Sequence, residues 1–508
     1  MKAEPIKNVV IVGGGTAGWM TAAALATVSQ RTGLRIELIE SDAIGTVGVG
    51  EATIPPIAQF NTLLGLDEAA FLSATEGTFK LGIEFRDWVR LGHSYMHPFG
   101  SYGRDMEALR FYQLWLRAQS IEPTPPLGTF CLSEVAARRN RFALPSRDPG
   151  DVLSSLAYAY HFDAGLYARF LRRHAEERGV VRTEARITGV SQDGETGFVE
   201  SVVLDDGREI IGDLFIDCSG FRGLLIEEAM QAGYESWAHW LPCDRAVAAP
   251  CARTEPLLPY TQATARDAGW QWRIPLQHRT GNGYVYSSAH LGREDAEGAL
   301  LSSLPGEPTG ELRHLRFETG RRRRMWEGNV VAIGLSAGFL EPLESTSIHL
   351  IQTAIHKLIA LFPDQRFAPI ERDEFNRLMA LQFEQVRDFL ILHYIQTERR
   401  DTAFWRDVTA AEPPESLKRR IELFSSKGRI FRHQDELFDE DNWLAVLWGQ
   451  GVRPSGYDPM TDGLPPQDLF RMLAGMHRSI ERTADAMPQH AAFVSRYCPG
   501  TLDREGTP

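Results

Sequence analysis

The segment Asn8-Val-Val-Ile-Val-Gly-Gly-Gly-Thr-Ala-Gly-Trp19 decides the fold prediction for this chain. Its apolar run indicates a buried strand, and Gly13, Gly15 and Gly18 then give G-x-G-x-x-G ahead of a small-residue helix pattern. The glycines of such a turn allow a tight bend and close approach of the backbone to a pyrophosphate on the helix N-terminus. Glu40 ends the following apolar strand pattern, where a carboxylate can accept a hydrogen bond from a ribose hydroxyl. This order of elements predicts a dinucleotide-binding unit.

Two later apolar runs, residues 213–220 and 329–334, resemble further strands of the same sheet. Each closes on serine or glycine at its carboxyl end, where open α/β sheets bind their ligands. After Ser345 the pattern becomes helical, and residues 371–397, 415–424 and 466–486 continue it. We therefore predict an α/β fold with a doubly wound, discontinuous dinucleotide-binding scaffold over residues 1–355. A mainly helical C-terminal region, residues 356–508, is expected to pack on it.

The composition excludes several classes of protein. The chain has 508 residues, of which 43% are hydrophobic and 24% charged, as in soluble globular proteins. Its net charge of −13 gives no general attraction to nucleic acid or anionic lipid, and the basic run 321–324 is interpreted as a solvated strand start or a neighbour of a cofactor phosphate. Five cysteines without a C-x-x-C pair predict neither disulfides nor a metal site. Because the cysteines are sparse and no apolar stretch approaches about 18 residues, we expect a cytoplasmic protein. We expect it to be a monomer or a homodimer.

A second motif, Trp270-Gln-Trp-Arg-Ile-Pro275, reads W-x-W-x-I-P. Alone, it indicates only two tryptophans that share one face of a strand. Three further stretches accompany it: G-V-G-E-A-T-I-P at 48–55, F-K-L-G-I at 79–83 and G-F-L-E-P-L-E-S-T at 338–346. With these motifs in this order, the chain resembles the flavin-dependent halogenases of the tryptophan-halogenase family. The lysine and double-tryptophan motifs are the more specific ones, since many flavoproteins share the glycine-rich turn.

The resemblance implies FAD as cofactor, with its reduced form supplied by a separate flavin reductase. Because one dinucleotide fingerprint is visible, we predict no site for NAD(P)H. The cofactor contacts implied are Gly13, Gly15, Thr16, Ala17, Gly18, Glu40, Gly48, Val49, Gly50, Glu51, Ala52 and Gly334.

In the family, a halide ion is oxidised to hypohalous acid, which travels to a lysine that the resemblance places at Lys80. Flanked by Phe79 and Leu81, this lysine could be partly buried, and burial favours the neutral, nucleophilic amine. Otherwise it is a surface lysine on a strand. The second catalytic group transfers to Glu344, whose carboxylate can take the ring proton during aromatic substitution. Alternatively, Glu344 is a charge stabilised at a helix start.

Further residues are assigned by the same resemblance. Halide is expected at the backbone of Thr346 and Ser347, with bromide used at least as well as chloride. Many relatives carry glycine at the position of Ser347. The passage and the substrate pocket are expected to be lined by Trp270, Trp272, His97, Phe99 and Trp443, and packing in the core is the alternative for each of these five.

The expected substrate is a small, electron-rich, indole-like aromatic. Residues 441–448 lack the adjacent tyrosines and following glutamate that would hold the amino-acid part of free tryptophan. Two other functions stay open at this stage. One is a flavin-dependent aromatic hydroxylase of similar fold, which would need neither Lys80 nor halide. The other is a non-catalytic flavoprotein.

Overall fold

The computed structural model describes residues 4–43 and 50–501. The chain divides into two compact units, each built from three segments: 1–76, 162–239 and 316–384 form the first, and 77–161, 240–315 and 385–508 the second. The sequence prediction divided the chain at residue 355 instead. That boundary stays a prediction and falls inside the helix Ser347–Ala360.

The first unit contains the predicted dinucleotide sheet. Its six strands, in spatial order, are Trp326–Glu327, Val330–Ala332, Leu214–Asp217, Asn8–Val12, Arg35–Glu40 and Val181–Glu184. All pair in parallel except the first, an antiparallel edge strand. Val9, Val10 and Ile11 are at most 1% exposed, as expected for a parallel sheet covered on both faces. The predicted α/β class is confirmed, and the sheet is assembled from distant segments of the chain.

Two small antiparallel sheets complete the first unit. Their strands are Ile187–Gln192, Val199–Leu204 and Glu209–Ile211, and Tyr234–Ser236, Gly320–Arg322 and Gly338–Phe339. Arg321 and Arg322 of the basic run lie in the strand Gly320–Arg322 of the second sheet, whereas Arg323 and Arg324 follow it and are exposed, as the solvated interpretation expects. Arg321 pairs with Glu235 and Glu384, and Arg322 pairs with Glu227.

The second unit contains a seven-stranded sheet. In spatial order its strands are Arg313–Arg316, Arg245–Ala252, Arg279–Tyr286, Gly269–Pro275, Thr261–Arg266, Gly82–Arg86 and Ser94–Pro98. The strand Gly269–Pro275, which carries the double-tryptophan motif, lies at the centre and pairs antiparallel with both neighbours. The short strand Thr78–Lys80 pairs antiparallel with residues 159–161 of the strand Ala159–Asp163.

The helices agree with the predicted helical character of the last third of the chain. They are Thr16–Val28, Ile57–Leu64, Glu68–Ala74, Phe111–Ile121, Leu132–Arg138, Ala164–Glu176, Arg293–Ser302, Ser347–Ala360, Pro369–Ile395, Ala403–Ala410, Glu415–Lys427, Glu440–Gly449, Pro466–Ala486 and His490–Tyr497. Over residues 4–43 and 50–501, none is long and apolar enough to cross a membrane. The five cysteines are buried free thiols.

Candidate active site

The glycine-rich turn has the form that the sequence predicts. Gly13 has a φ of +108°, and a Cβ atom there would lie 2.3 Å from the carbonyl oxygen of Cys218. A Cβ at Gly18 would lie 1.9 Å from the carbonyl oxygen of Gly13. A Cβ atom at Gly15 would have no neighbouring atom within 4 Å, so the space before the helix Thr16–Val28 is open. Two glycines are thus required by packing, while the third leaves the first-turn amides accessible to an anion.

Glu40 ends its strand directly against this turn. Its Oε1 accepts a 2.6 Å hydrogen bond from Nε of Arg182, and a Cβ at Gly14 would fall 1.6 Å from its Oε2. Gly334, with a φ of +82°, brings a second turn against the start of the helix, since a Cβ there would lie 2.7 Å from Cβ of Ala17. These residues of the first unit fit a dinucleotide, with an open helix start for phosphate and a fixed carboxylate for ribose.

The second predicted cofactor stretch is described only in part. Gly48 and Val49 lie outside the described residues. Gly50, Glu51 and Ala52 form a short strand of the first unit. Burial, reinforced by the charge of Asp163, raises the pKa of Glu51 to about 7. A carboxyl group in this condition can donate a hydrogen bond near neutral pH.

Lys80 is fully buried in the second unit. Its Nζ lies 5.2 Å from the ring centroid of Phe99, which is itself buried. The surface-lysine alternative is therefore wrong. The protein therefore places the Lys80 amine in a dry environment beside an aromatic face.

Two buried histidines that the sequence analysis did not single out flank the strand of Lys80. His161 contacts Oγ1 of Thr78 through Nδ1 at 3.0 Å and Oγ1 of Thr261 through Nε2 at 2.9 Å. His490 accepts the backbone N–H of Phe79 at Nε2. Burial, with the nearby Lys80 charge, holds the pKa of His161 well below its usual range, and burial lowers the pKa of His490 to about 4. Both rings are therefore neutral and hold the strand through hydrogen bonds.

No sequence signal marks these histidines, because each lies alone in its segment. Only the pairing of Lys80 with Ala159 brings His161 opposite Thr78.

His97 is buried, and its position is fixed by Asn442. The Asn442 Oδ1 accepts the N–H of Asp439, so its Nδ2 is the atom that donates to Nε2 of His97, at 3.1 Å. The ring lies 5.6 Å from Phe389 and 6.3 Å from Phe438. His97 is thus held by Asn442 and packed against two aromatic rings, and its predicted substrate contact stays a prediction.

The two motif tryptophans are buried on one face of the seven-stranded sheet, with ring centroids 6.2 Å apart. Trp272 lies over Gly283 of the neighbouring strand, where a Cβ atom would meet the indole at 2.1 Å. Its Nε1 is buried and has no hydrogen-bond acceptor among the residues that the structure describes. Trp270 packs against Trp88, with a centroid distance of 6.5 Å. Packing thus fixes both rings and leaves one indole donor unused within the described chain.

Trp443 has contacts of a different kind. Its Nε1 donates to Oε1 of Glu436 at 2.9 Å, and the guanidinium of Arg420 lies 4.0 Å from the ring centroid. The edge of Phe389 covers it as well. These contacts make Trp443 a packing residue beside Phe389, which also contacts His97. The predicted contact of Trp443 with substrate stays a prediction.

Glu344, Thr346 and Ser347 lie at the start of a long helix in the first unit. Glu344 is 1% exposed and is followed by Ser345, whose φ of +58° turns the chain into the helix Ser347–Ala360. The hydroxyl of Thr346 is buried without a hydrogen-bond partner among the described residues. An unpaired hydroxyl beside helix-start amides is a suitable environment for a small anion.

The structure thus groups the predicted residues by unit. The cofactor residues, Glu344, Thr346 and Ser347 belong to the first unit, and Lys80, His97, Phe99, Trp270, Trp272 and Trp443 to the second. Over residues 4–43 and 50–501, no group of three or more His, Cys, Asp or Glu side chains is arranged to hold a metal ion.

A dinucleotide turn on a parallel sheet, a buried lysine strand and a paired-tryptophan strand together define a flavin-dependent halogenase. The family model described as tryptophan halogenase matches residues 8–466, and the chain belongs to this family. The 7-chloro-L-tryptophan 6-halogenase KtzR of Kutzneria sp. (strain 744) is 40% identical over 519 aligned positions, which cover 96% of this chain and 99% of the relative.

Solved structures of two flavin-dependent halogenases are similar over nearly the whole chain. One, from Xanthomonas campestris, is 47% identical with a TM-score of 0.95, and the match covers 98% of this chain and 99% of the other. The other, BrvH from Brevundimonas sp. BAL3, is 48% identical with a TM-score of 0.93, with coverage of 97% and 99%. The fold class and the halogenase function expected from the sequence are confirmed.

Proposed function

We propose that this halogenase oxidises bromide or chloride to hypohalous acid and transfers the halogen to a small indole-like aromatic through Lys80. The observation that carries the proposal is the complete burial of Lys80 beside the Phe99 ring. Relatives named as tryptophan halogenases support an indole ring as the part of the substrate that reacts. Residues 441–448 lack the adjacent tyrosines and following glutamate that would hold the amino-acid part of tryptophan, which favours an indole without that group.

When bound, reduced FAD from a separate reductase would activate O2, which would then oxidise the halide to hypohalous acid. The residues that would hold FAD are those of the Gly13–Gly18 turn, Glu40, the strand Gly50–Ala52 and Gly334. Open space at Gly15 and the fixed carboxylate of Glu40 support this assignment.

The halide is proposed to bind at Thr346 and Ser347. The buried, unpartnered hydroxyl of Thr346 and the first amides of the helix Ser347–Ala360 would supply its donors. Bromide is expected to react at least as well as chloride because it is the more easily oxidised ion.

Hypohalous acid is proposed to pass Trp270 and Trp272 on its way to Lys80. The unused N–H of Trp272 supports a lining role, since a buried donor can hydrogen-bond to a small polar molecule that passes it. The Lys80 amine then holds the halogen by a hydrogen bond or as a haloamine, formed with loss of water. The aromatic carbon takes the halogen while the oxygen–halogen or nitrogen–halogen bond breaks, and Glu344 accepts the displaced ring proton.

The test is mass spectrometry of products from indole with purified protein, FAD, a generic flavin reductase with NADH, and bromide or chloride in separate reactions. We expect a halogen isotope pattern in the product that is lost in Lys80→Ala and retained in the control Lys427→Ala, which alters an exposed lysine. Oxygenated indole in halide-free buffer, together with full activity of Lys80→Ala, would contradict the proposal.

A further inference from the structure

A pocket of about 240 Å³ lies wholly within the second unit, against the seven-stranded sheet. Gln271 and Arg273 line it, and they alternate with Trp270 and Trp272 along one strand. Successive side chains of a strand point to opposite faces, so the pocket occupies the face away from the bulk of the tryptophan pair, although Trp272 also contributes to its wall. The helix Arg293–Ser302 packs on this same face beside the pocket.

The wall of the pocket is cationic. It contains three guanidinium groups, those of Arg86, Arg266 and Arg273, and one carboxylate, that of Asp87. Arg86 is already neutralised, because its Nη2 lies 2.7 Å from Oε2 of Glu84. This concentration of positive charge occurs in a chain whose net charge is −13.

The other two arginines bond to neutral groups within the described chain. Arg266 donates from Nε to Oε1 of Gln271 at 2.9 Å. Arg273 donates to Oε1 of Gln262 at 3.4 Å and to the carbonyl oxygen of Ser303 at 3.2 Å, both long hydrogen bonds. A guanidinium group has five N–H donors, so both keep donor capacity for a ligand.

The electrostatic state of Arg273 agrees with this picture. Burial, together with the charges of Arg86 and Arg266, lowers its pKa. Gln262 and Gln271 are only 4% and 6% exposed, so the charge resides in a concave, partly desolvated surface. There, an anion would be attracted more strongly than at a solvated arginine.

We propose that this pocket binds a small oxyanion, a carboxylate or a phosphate group, held by the guanidinium groups of Arg266 and Arg273. Planar guanidinium donors match the paired oxygens of both classes. The neighbouring glutamine side chains are oriented by their bonds to the arginines, to Glu84 and to Ser303, so the site is preformed. The proposal does not depend on the halogenation steps and is tested by binding alone.

The experiment is isothermal titration calorimetry on the full-length protein saturated with FAD, which blocks the glycine-rich turn as a competing anion site. Inorganic phosphate and acetate are the two probes, at ionic strength held constant with sodium chloride. We expect saturable binding of at least one probe, and the stronger probe identifies the ligand class. Arg273→Gln should weaken that binding about tenfold or more.

The matched control is Arg293→Gln, which alters an exposed arginine paired with Glu297 on the adjoining helix and should leave binding unchanged. Arg266→Gln and Arg273→Lys provide second variants should Arg273→Gln fold poorly. Arg273→Lys keeps the positive charge but loses the planar pair of guanidinium donors, so we expect an affinity for the anion between those of wild type and Arg273→Gln. Absence of saturable binding of both probes, or equal affinity in wild type and the arginine variants, would overturn the proposal.

Discussion

Replacing Thr78 by valine tests whether the buried histidine network holds the Lys80 strand. The Thr78 hydroxyl donates to the carbonyl oxygen of Pro275 at 2.8 Å. Since that uses its only proton, it must accept the Nδ1–H of His161 at 3.0 Å, and Nε2 of His161 then accepts from Thr261. One hydroxyl therefore connects the strand of Lys80 to the last residue of the tryptophan strand.

The expected loss in free energy of unfolding follows from the two groups that valine leaves without a hydrogen-bond partner. Thr78 is fully buried, and valine has nearly the same shape, so packing changes little. Two buried groups lose their partner, the Pro275 carbonyl and the Nδ1–H of His161, and each stranded group costs about 1–3 kcal/mol. We therefore expect Thr78→Val to lower the free energy of unfolding by about 2–6 kcal/mol.

Urea denaturation followed by tryptophan fluorescence measures this change, with Thr78→Ser as the matched control that keeps the hydroxyl. Because Lys80 follows on the same face of the strand, we also expect kcat for indole bromination to fall more than KM changes. Equal denaturation midpoints and equal kcat for the valine and serine variants would refute the network as a positioning device.

Three further predictions concern other parts of the site. Burial lowers the pKa of His490 from 6.5 to about 4, so this residue contributes stability above pH 6.5 that is lost as the pH falls toward 4. The difference in free energy of unfolding between wild type and His490→Gln should therefore shrink by about 3 kcal/mol over that pH range, as measured by urea titration. A pH-independent difference would contradict this. Glu344→Gln should lower the rate of indole halogenation about 100-fold without abolishing halide oxidation, and an unchanged rate would exclude it as the base. Gly283→Ala should displace the Trp272 indole and destabilise the protein by about 1–3 kcal/mol, as measured by denaturation, whereas Gly298→Ala, with open space around it, should not.

Local chemistry explains why the dinucleotide region was predictable. Gly13 and Gly18 are required by close approach of neighbouring carbonyl groups, and Glu40 directly follows an apolar strand pattern. Each feature lies within a short segment, where residue type alone restricts the backbone. The helices Pro369–Ile395, Glu415–Lys427 and Pro466–Ala486 were predictable for a similar reason, because apolar periodicity is a local signal.

The second unit was much less predictable, because its seven-stranded sheet joins three distant segments of the chain. Gly82–Arg86 pairs in parallel with Thr261–Arg266, a contact between residues nearly 180 positions apart that no local pattern encodes. The burial of Lys80 depends on the strand at 159–161. The local sequence around Lys80 fitted both a buried and a surface lysine, and only the family resemblance favoured the buried, catalytic one. Arg273 occupies a variable position of W-x-W-x-I-P, so the motif predicts no role for it.

The most direct test of the central claim separates halide oxidation from halogen transfer in a single variant. Lys80→Ala would be supplied with reduced FAD, oxygen, bromide and indole, while free hypobromous acid is captured with a scavenger and brominated indole is measured by mass spectrometry. If Lys80 delivers the halogen, the variant forms scavenged hypobromous acid but its scavenger-resistant bromination of indole falls at least about 100-fold, the scale of a lost catalytic group. Undiminished scavenger-resistant bromination in the variant would show that the halogen reaches the substrate without Lys80.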